Sequence, residues 1–306
     1  MKLPLFDAHC DTLFAMRDTG QAIERNNLHV DLNRAERYTP YAQFFALFGF
    51  HGRQCFDAEY KLFQGALANH PDRMIHCRTA DQARAAARSG KIAAFLSIEG
   101  AELIECSLDQ LREAHGLGVR MLTLTWNNPN GLSGTNVQES ERGLSHLGRQ
   151  FVRTCEELGI IVDVAHLSEP GFWDVVEVAR KPFIASHSNA KHICPHSRNL
   201  TDDQFRALIE AGGVAGINLY TDFLGEDPDT DTVIAHIEHF LSLGGERSIA
   251  FGADLDGCDQ LPRGIRGIQD MEKIGGRMLQ KNYPESLIYD IFYHNLMRVV
   301  DDVCGI

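Results

Sequence analysis

The sequence predicts a single (β/α)8 barrel of the TIM type, spanning residues 1–306, with additional helices at its C-terminal end. Three observations carry this. Eight short runs rich in Val, Ile, Leu and Phe recur along the chain, as in strands buried on both faces. Helical patterns fill the intervals between them. Several of the runs end in a histidine or a carboxylate, and a barrel gathers such groups at the carboxyl ends of its strands. A doubly wound sheet would usually stop at fewer strands. It would also commonly carry a glycine-rich turn after the first strand, where this chain has His-Cys-Asp.

The first strand is expected at 3–6, with His9 and Asp11 just beyond it. The second spans 42–48, and helices at 56–69 and 80–88 separate it from the third, 92–98, which runs into Glu99. A helix at 107–115 leads to the fourth strand, 120–125, followed by Trp126 and Asn127. Helix 144–158 precedes the fifth, 160–165, and His166; helix 168–179 precedes the sixth, 182–186, and His187. Helix 201–211 leads to the seventh, 213–219, and Tyr220. Helix 231–243 leads to the eighth, 248–253, and Asp254, and residues 268–303 read as largely helical. Ser107, Ser168 and Thr201, each followed by an acid, are natural helix starts. Gly118, Gly159 and Gly212 stand where a left-handed cap would end a helix. The acidic stretch 225–229 reads as a solvated loop. No linker, repeat or low-complexity tract divides the chain, so one domain is expected.

The length of 306 residues is ordinary for one barrel. A formal charge of -13 argues against nucleic acid or an anionic membrane as partner. No run approaches the roughly 18 apolar residues of a membrane span. No signal-peptide apolar region precedes His9, and the eight cysteines are scattered without paired spacing. Reduced thiols and a cytoplasmic location are therefore expected. Cys10 lies between His9 and Asp11, and strand alternation turns it away from their face.

Residues two apart on a strand share a face, so His9 and Asp11 are placed to hold one cation. Glu99, His166, His187 and Asp254 occupy matching strand ends, and imidazole with carboxylate suits a divalent ion of the zinc type. Five ligands drawn from these six exceed the needs of one tetrahedral zinc with an open position. Two ions about 3.5–4 Å apart use them naturally. Glu99 is the best bridge, since a carboxylate offers two oxygens and an imidazole one free nitrogen. His29, His70, His76, His115, His146, His236, His239 and His294 read as satisfied polar groups. Asp254 and Asp256 share a parity, which leaves the choice between them open. Asp163, on the opposite parity from His166, reads as structural.

These residues carry a family resemblance. The chain resembles the membrane (renal-type) dipeptidases, binuclear zinc peptidases on a metal-dependent-hydrolase barrel. The shared motifs run nearly end to end: FDAHCDT at 6–12, SIEGAE at 97–102, LTLTWN at 122–127, GLSHLGRQFV at 143–152, IVDVAHLS at 161–168, PFIASHSNA at 182–190, HSRNLTDD at 196–203 and FGADLDG at 251–257. The resemblance implies that His9 and Asp11 bind one zinc, that His166 and His187 bind the other, and that Glu99 bridges them. It implies Asp254 as catalytic acid/base, Arg198 as the anchor of a substrate carboxylate, and a homodimer. The implied reaction is hydrolysis of a small dipeptide, including one with a C-terminal D-residue, by a hydroxide bridging the ions. Tyr220 is expected to add a substrate hydrogen bond. One departure stands out: animal members have a histidine near the scissile carbonyl where this chain has Trp126, and an indole only donates. The rival expectations are an amidohydrolase acting on N-acyl amino acids or cyclic amides, and a metal-binding barrel without activity.

Overall fold

The computed structural model describes residues 2–305. It contains nine parallel strands: β1 (Leu5–Cys10), β2 (Tyr41–Leu47), β3 (Met74–His76), β4 (Ile92–Glu99), β5 (Val119–Thr123), β6 (Ile161–Asp163), β7 (Ile184–Ala185), β8 (Val214–Ile217) and β9 (Ile249–Phe251). Eight of them form a closed ring in the order β1-β2-β4-β5-β6-β7-β8-β9, sealed where β9 returns to β1. The expected (β/α)8 barrel is therefore present.

The ninth strand, β3, was not anticipated. It pairs with Ile92, Ala93 and Ala94 of β4, on the edge that β5 takes up only from Leu96 onward. The sixth strand is also shorter than expected, two residues instead of five. Its neighbourhood is crowded: a Cβ on Gly216 or Gly252 would lie 1.9 or 1.6 Å from the Ser186 carbonyl oxygen. Only glycine allows that approach, and it brings Ser186 and His187 hard against β8 and β9.

The first strand reaches Cys10 instead of stopping at Phe6, with a register shift between Asp7 and Cys10. His9 therefore sits in an irregular strand end, and Asp11 begins the helix Thr12–Thr19. Simple alternation does not describe this segment. Cys10 nonetheless turns away, its thiol meeting the Phe44 carbonyl at 3.5 Å.

Inside the barrel, one buried cluster takes a side chain from every ring strand: Phe6, Phe44, Phe95, Met121, Ile161, Ile184, Val214 and Ala250. Phe6 stacks on Phe44 and Phe95 at 5.6 and 5.4 Å. The same cluster includes Leu296, Val299, Val300 and Val303 of the last helix, Asn295–Cys304. That helix packs across the amino-terminal side of the barrel and leaves the carboxyl-terminal rim for polar chemistry. Its polar contacts reinforce this, since Asn295 donates to the carbonyls of Glu246 and Ile249 at 2.8 Å.

The surrounding helices begin where their sequence starts suggested. Ser107, Ser168 and Thr201 each cap a helix with the side-chain oxygen, and Gly118 and Gly159 close helices in the left-handed conformation. The acidic stretch 225–229 has more order than a solvated loop. Asp229 caps the helix Thr230–Ser242, and Asp227 and Asp229 both pair with Arg263. No helix among the described residues is long and apolar enough to cross a membrane.

Candidate metal centre and substrate cavity

At the carboxyl-terminal rim, six side chains from five strand ends converge. His9 Nε2 lies 3.2 Å from Asp11 Oδ2, 3.7 Å from Glu99 Oε2 and 3.8 Å from Asp254 Oδ1. On the other side of the same carboxylate, Glu99 Oε1 lies 3.0 Å from His166 Nε2 and 3.6 Å from His187 Nε2. The two oxygens of Glu99 thus face two separate groups of donors. Asp256 turns away from the cluster. It accepts from Thr12 Oγ1 at 2.6 Å and the His29 amide at 2.5 Å, which separates it from Asp254.

The backbone makes unusual turns to present these groups. His166 and Asp254, just past β6 and β9, have φ of 68° and 58°. Non-glycine residues are rare in this left-handed region, which concentrates at functional sites.

Hydrogen bonds behind the site set the ring orientations. Ser186 Oγ donates to Asp163 Oδ2 at 2.6 Å, so it is left to accept from His187 Nδ1 at 2.7 Å. Asn127 Oδ1 likewise accepts from His166 Nδ1 at 2.8 Å. With both Nδ1 atoms donating, both Nε2 atoms carry lone pairs. They point at one another across 2.9 Å and at a carboxylate oxygen. Burial pushes the Glu99 carboxyl well above its ordinary range, so without a cation only a proton on Glu99 could bridge this triangle, and a cation there would satisfy all three atoms. Burial, with the charges of Arg198 and His9, pushes both imidazoles well below their ordinary range and keeps them neutral, as ligands must be.

The second group responds in the opposite sense. Burial alone would lower His9, but Glu99, Asp11 and Asp254 outweigh it and hold His9 well above the usual range. The same carboxylates that hold a proton on His9 would favour a cation in its place. His9 Nδ1 and Asp11 Oδ1 are buried without partners. The residues present fit a pair of divalent ions sharing Glu99.

The cavity over this centre has a volume of about 340 Å³ and is lined by Asp11, Glu99, Trp126, Arg198, Tyr220 and Asp254, among others. Arg198 lies in the loop after β7, only 5% exposed, and none of its three guanidinium nitrogens has a hydrogen-bond partner. Burial draws it down to about 10 against the pull of Asp254 and Glu99, so it stays charged at neutral pH. A buried, unpartnered guanidinium is an anion site. Trp126 packs 6.3 Å from the His166 ring, and Tyr220 stands edge-on to Phe223. Sequence reasoning passed over Ser186 and Asn218 and gave Asp163 a structural part alone. Asn218, a polar residue between Ile217 and Leu219 at the end of β8, carried a legible signal: it donates to Asp254 Oδ2 at 3.0 Å.

A second cluster, His192, Asp202 and His239, lies nearer the surface. Its imidazoles stack 4.4 Å apart and within 4° of parallel, and one ion cannot lie in the planes of both rings. His239 instead pairs with Asp202 at the start of the helix Asp202–Glu210.

The sequence profile of the membrane dipeptidase family, peptidase family M19, matches residues 1–305. The chain belongs to this family. An uncharacterized dipeptidase of Schizosaccharomyces pombe is 36% identical over 241 residues, covering 76% of this chain and 58% of that relative. The chain thus matches little more than half the length of that relative. A metallopeptidase of Rhodobacter sphaeroides, solved with a phosphinate mimic of the dipeptide L-Ala-D-Ala, has a TM-score of 0.90 at 26% identity. The comparison covers 99% of this chain and 100% of that one. The dipeptidase AC, also of family M19, has a TM-score of 0.92 at 26% identity, with both chains covered completely. In this dipeptidase-family barrel, all six converging side chains come from the motifs that first suggested the resemblance.

Proposed function

We propose that this protein is a binuclear, zinc-type metallodipeptidase that hydrolyses small dipeptides, including those with a C-terminal D-residue. The observation that carries it is the division of Glu99 between two donor groups, with the imidazole lone pairs of His166 and His187 converging on one of its oxygens. His9 and Asp11 would hold one ion, His166 and His187 the other, and Glu99 both. Bound there, such ions would supply Lewis acidity toward a carbonyl oxygen and would lower the pKa of water from 15.7 toward about 7, making a nucleophile available at neutral pH.

The chain's own residues do the rest. Arg198 takes the substrate's C-terminal carboxylate in a paired contact, fixing register and limiting length to two residues. Asn218 holds one oxygen of Asp254, and the other faces the metal cluster. Burial raises Asp254 above the ordinary carboxylate range, which suits a group that accepts a proton and passes it to the departing amine. Tyr220, on the cavity wall, offers a hydroxyl to the substrate backbone. A cytoplasmic location accords with the eight free thiols, and a homodimer with the family resemblance.

The test pairs metal analysis with turnover. Two ions per chain, and cleavage of L,L- and L,D-dipeptides lost on chelation and restored by zinc, are expected. Turnover confined to N-acyl amino acids, or one that survives chelation, would overturn the reading.

A further inference from the structure

One wall of the cavity is built of aromatic rings. Trp126 lies 5.1 Å from Phe48 and 5.3 Å from Phe50, and Phe48 and Phe50 meet at 5.4 Å. Phe14 joins them, 5.2 Å from Phe48. Phe14, Phe48 and Trp126 line the same cavity as Arg198 and the metal cluster. Phe50, packed on Phe48 and Trp126 just outside the lining, has 62% of its surface exposed, and Val137, a lining residue, is 56% exposed. Large apolar groups left in water beside a polar site mark a surface that something apolar covers.

The barrel's topology says which part of a substrate meets this wall. In the ring order, β2 lies opposite β7. Phe48 directly follows β2, whereas Arg198 lies in the loop that follows β7. A dipeptide held by its carboxylate at Arg198 places its scissile carbonyl only three bonds away, over the metal cluster. Its amino-terminal residue then extends onward, away from Arg198 and toward the aromatic side. None of the four rings carries a charge, and Arg17, whose guanidinium lies 4.7 Å from the Phe14 ring centre, is already paired with Glu59 and Asp18, so an ionic side chain directed there would shed water without gaining a free partner.

We propose that Trp126, Phe48, Phe50 and Phe14 form a recognition site for a large apolar side chain on the amino-terminal residue of the dipeptide. The substrate class is therefore apolar-Xaa dipeptides such as Phe-Ala or Leu-Ala. This rests on the dipeptidase reading, so binding is measured apart from turnover.

In the zinc-loaded protein, kcat/KM for Phe-Ala is expected to exceed that for Gly-Ala and Asp-Ala by roughly tenfold or more, as burial of several methylene equivalents allows. Phe50→Ala, at an exposed position that threatens no core packing, lowers the Phe-Ala to Gly-Ala ratio at least about fivefold, chiefly through KM. Trp126→His does the same. Calorimetry with phosphinic dipeptide analogues, benzyl against hydrogen at the first side chain, gives the matching order of affinity. Cleavage of dipeptides with no preference, or an unchanged ratio in both variants, overturns the aromatic site alone. Absence of all dipeptide cleavage, with the benzyl analogue still bound more tightly, overturns the reaction and supports the site.

Discussion

Asp254 and Asp256 are chemically identical and two residues apart, yet their surroundings give them different work. Asp256 is consumed by Thr12 and the His29 amide, whereas Asp254 keeps one oxygen directed at His9. Asp254→Asn should therefore retain metal, read by elemental analysis, while kcat falls by about 10²–10⁴. Ser186 acts at one remove. Its hydroxyl links His187 to Asp163, and Ser186→Ala should weaken metal binding about 10–100-fold, measured by competition with a chelating dye. The converging side chains themselves were legible because each lies at the end of an apolar run. Asp163 and Ser186 were not, because a buried polar residue inside a strand looks the same whether it orients a ligand or simply satisfies the backbone.

Elements were legible in proportion to their length. The helix Ala80–Arg88 and the apolar run of β4 announced themselves through periodicity and composition. The three residues of β3 show no period at all and follow a Pro-Asp turn, so they pass for loop. The short β7 is fixed by contacts with β8 and β9 that no local pattern records. His236 illustrates how an element carries hidden linkage. On the helix Thr230–Ser242, it accepts from the Ala190 amide through Nδ1 and donates to the Leu224 carbonyl through Nε2, both at 3.1 Å. It thereby ties together the segments that follow β7 and β8. Burial, only partly opposed by the Leu224 contact, lowers it from 6.5 to about 4. Between those values the unfolded chain binds the extra proton. Its contribution to stability is thus complete above pH 6.5 and is lost as pH falls toward 4, amounting to about 3 kcal/mol. Denaturant titrations should show a shallower pH slope across that window in His236→Gln than in the wild type.

For the whole molecule, the proposed ligands come from β1, β4 and the turns after β6 and β7, with Asp254 following β9. Ions that clasp these strand ends bind the folded chain far better than the unfolded one. Saturating metal should then contribute about 3 kcal/mol and raise the melting temperature by roughly 5 °C. Chelation followed by zinc return, monitored by calorimetry, should lower and restore it. An unchanged midpoint would separate the metal centre from the stability of the barrel. The expectation that one barrel accounts for the architecture came from eight repeats of strand and helix. The helix that packs against the barrel floor was visible only as a helical tail.

The seam of the ring has a consequence for the order of events during synthesis. Asp7 of β1 pairs with Phe251 of β9, so one edge of the first strand waits for a partner made 244 residues later. Until then His9 and Asp11 sit on an open edge, while Glu99, His166 and His187 have already left the ribosome. The strand that carries His9 and leads into Asp11 is thus made first and completed last. A nascent chain of this protein can fold much of its wall, but the proposed centre is assembled only when β9 meets β1.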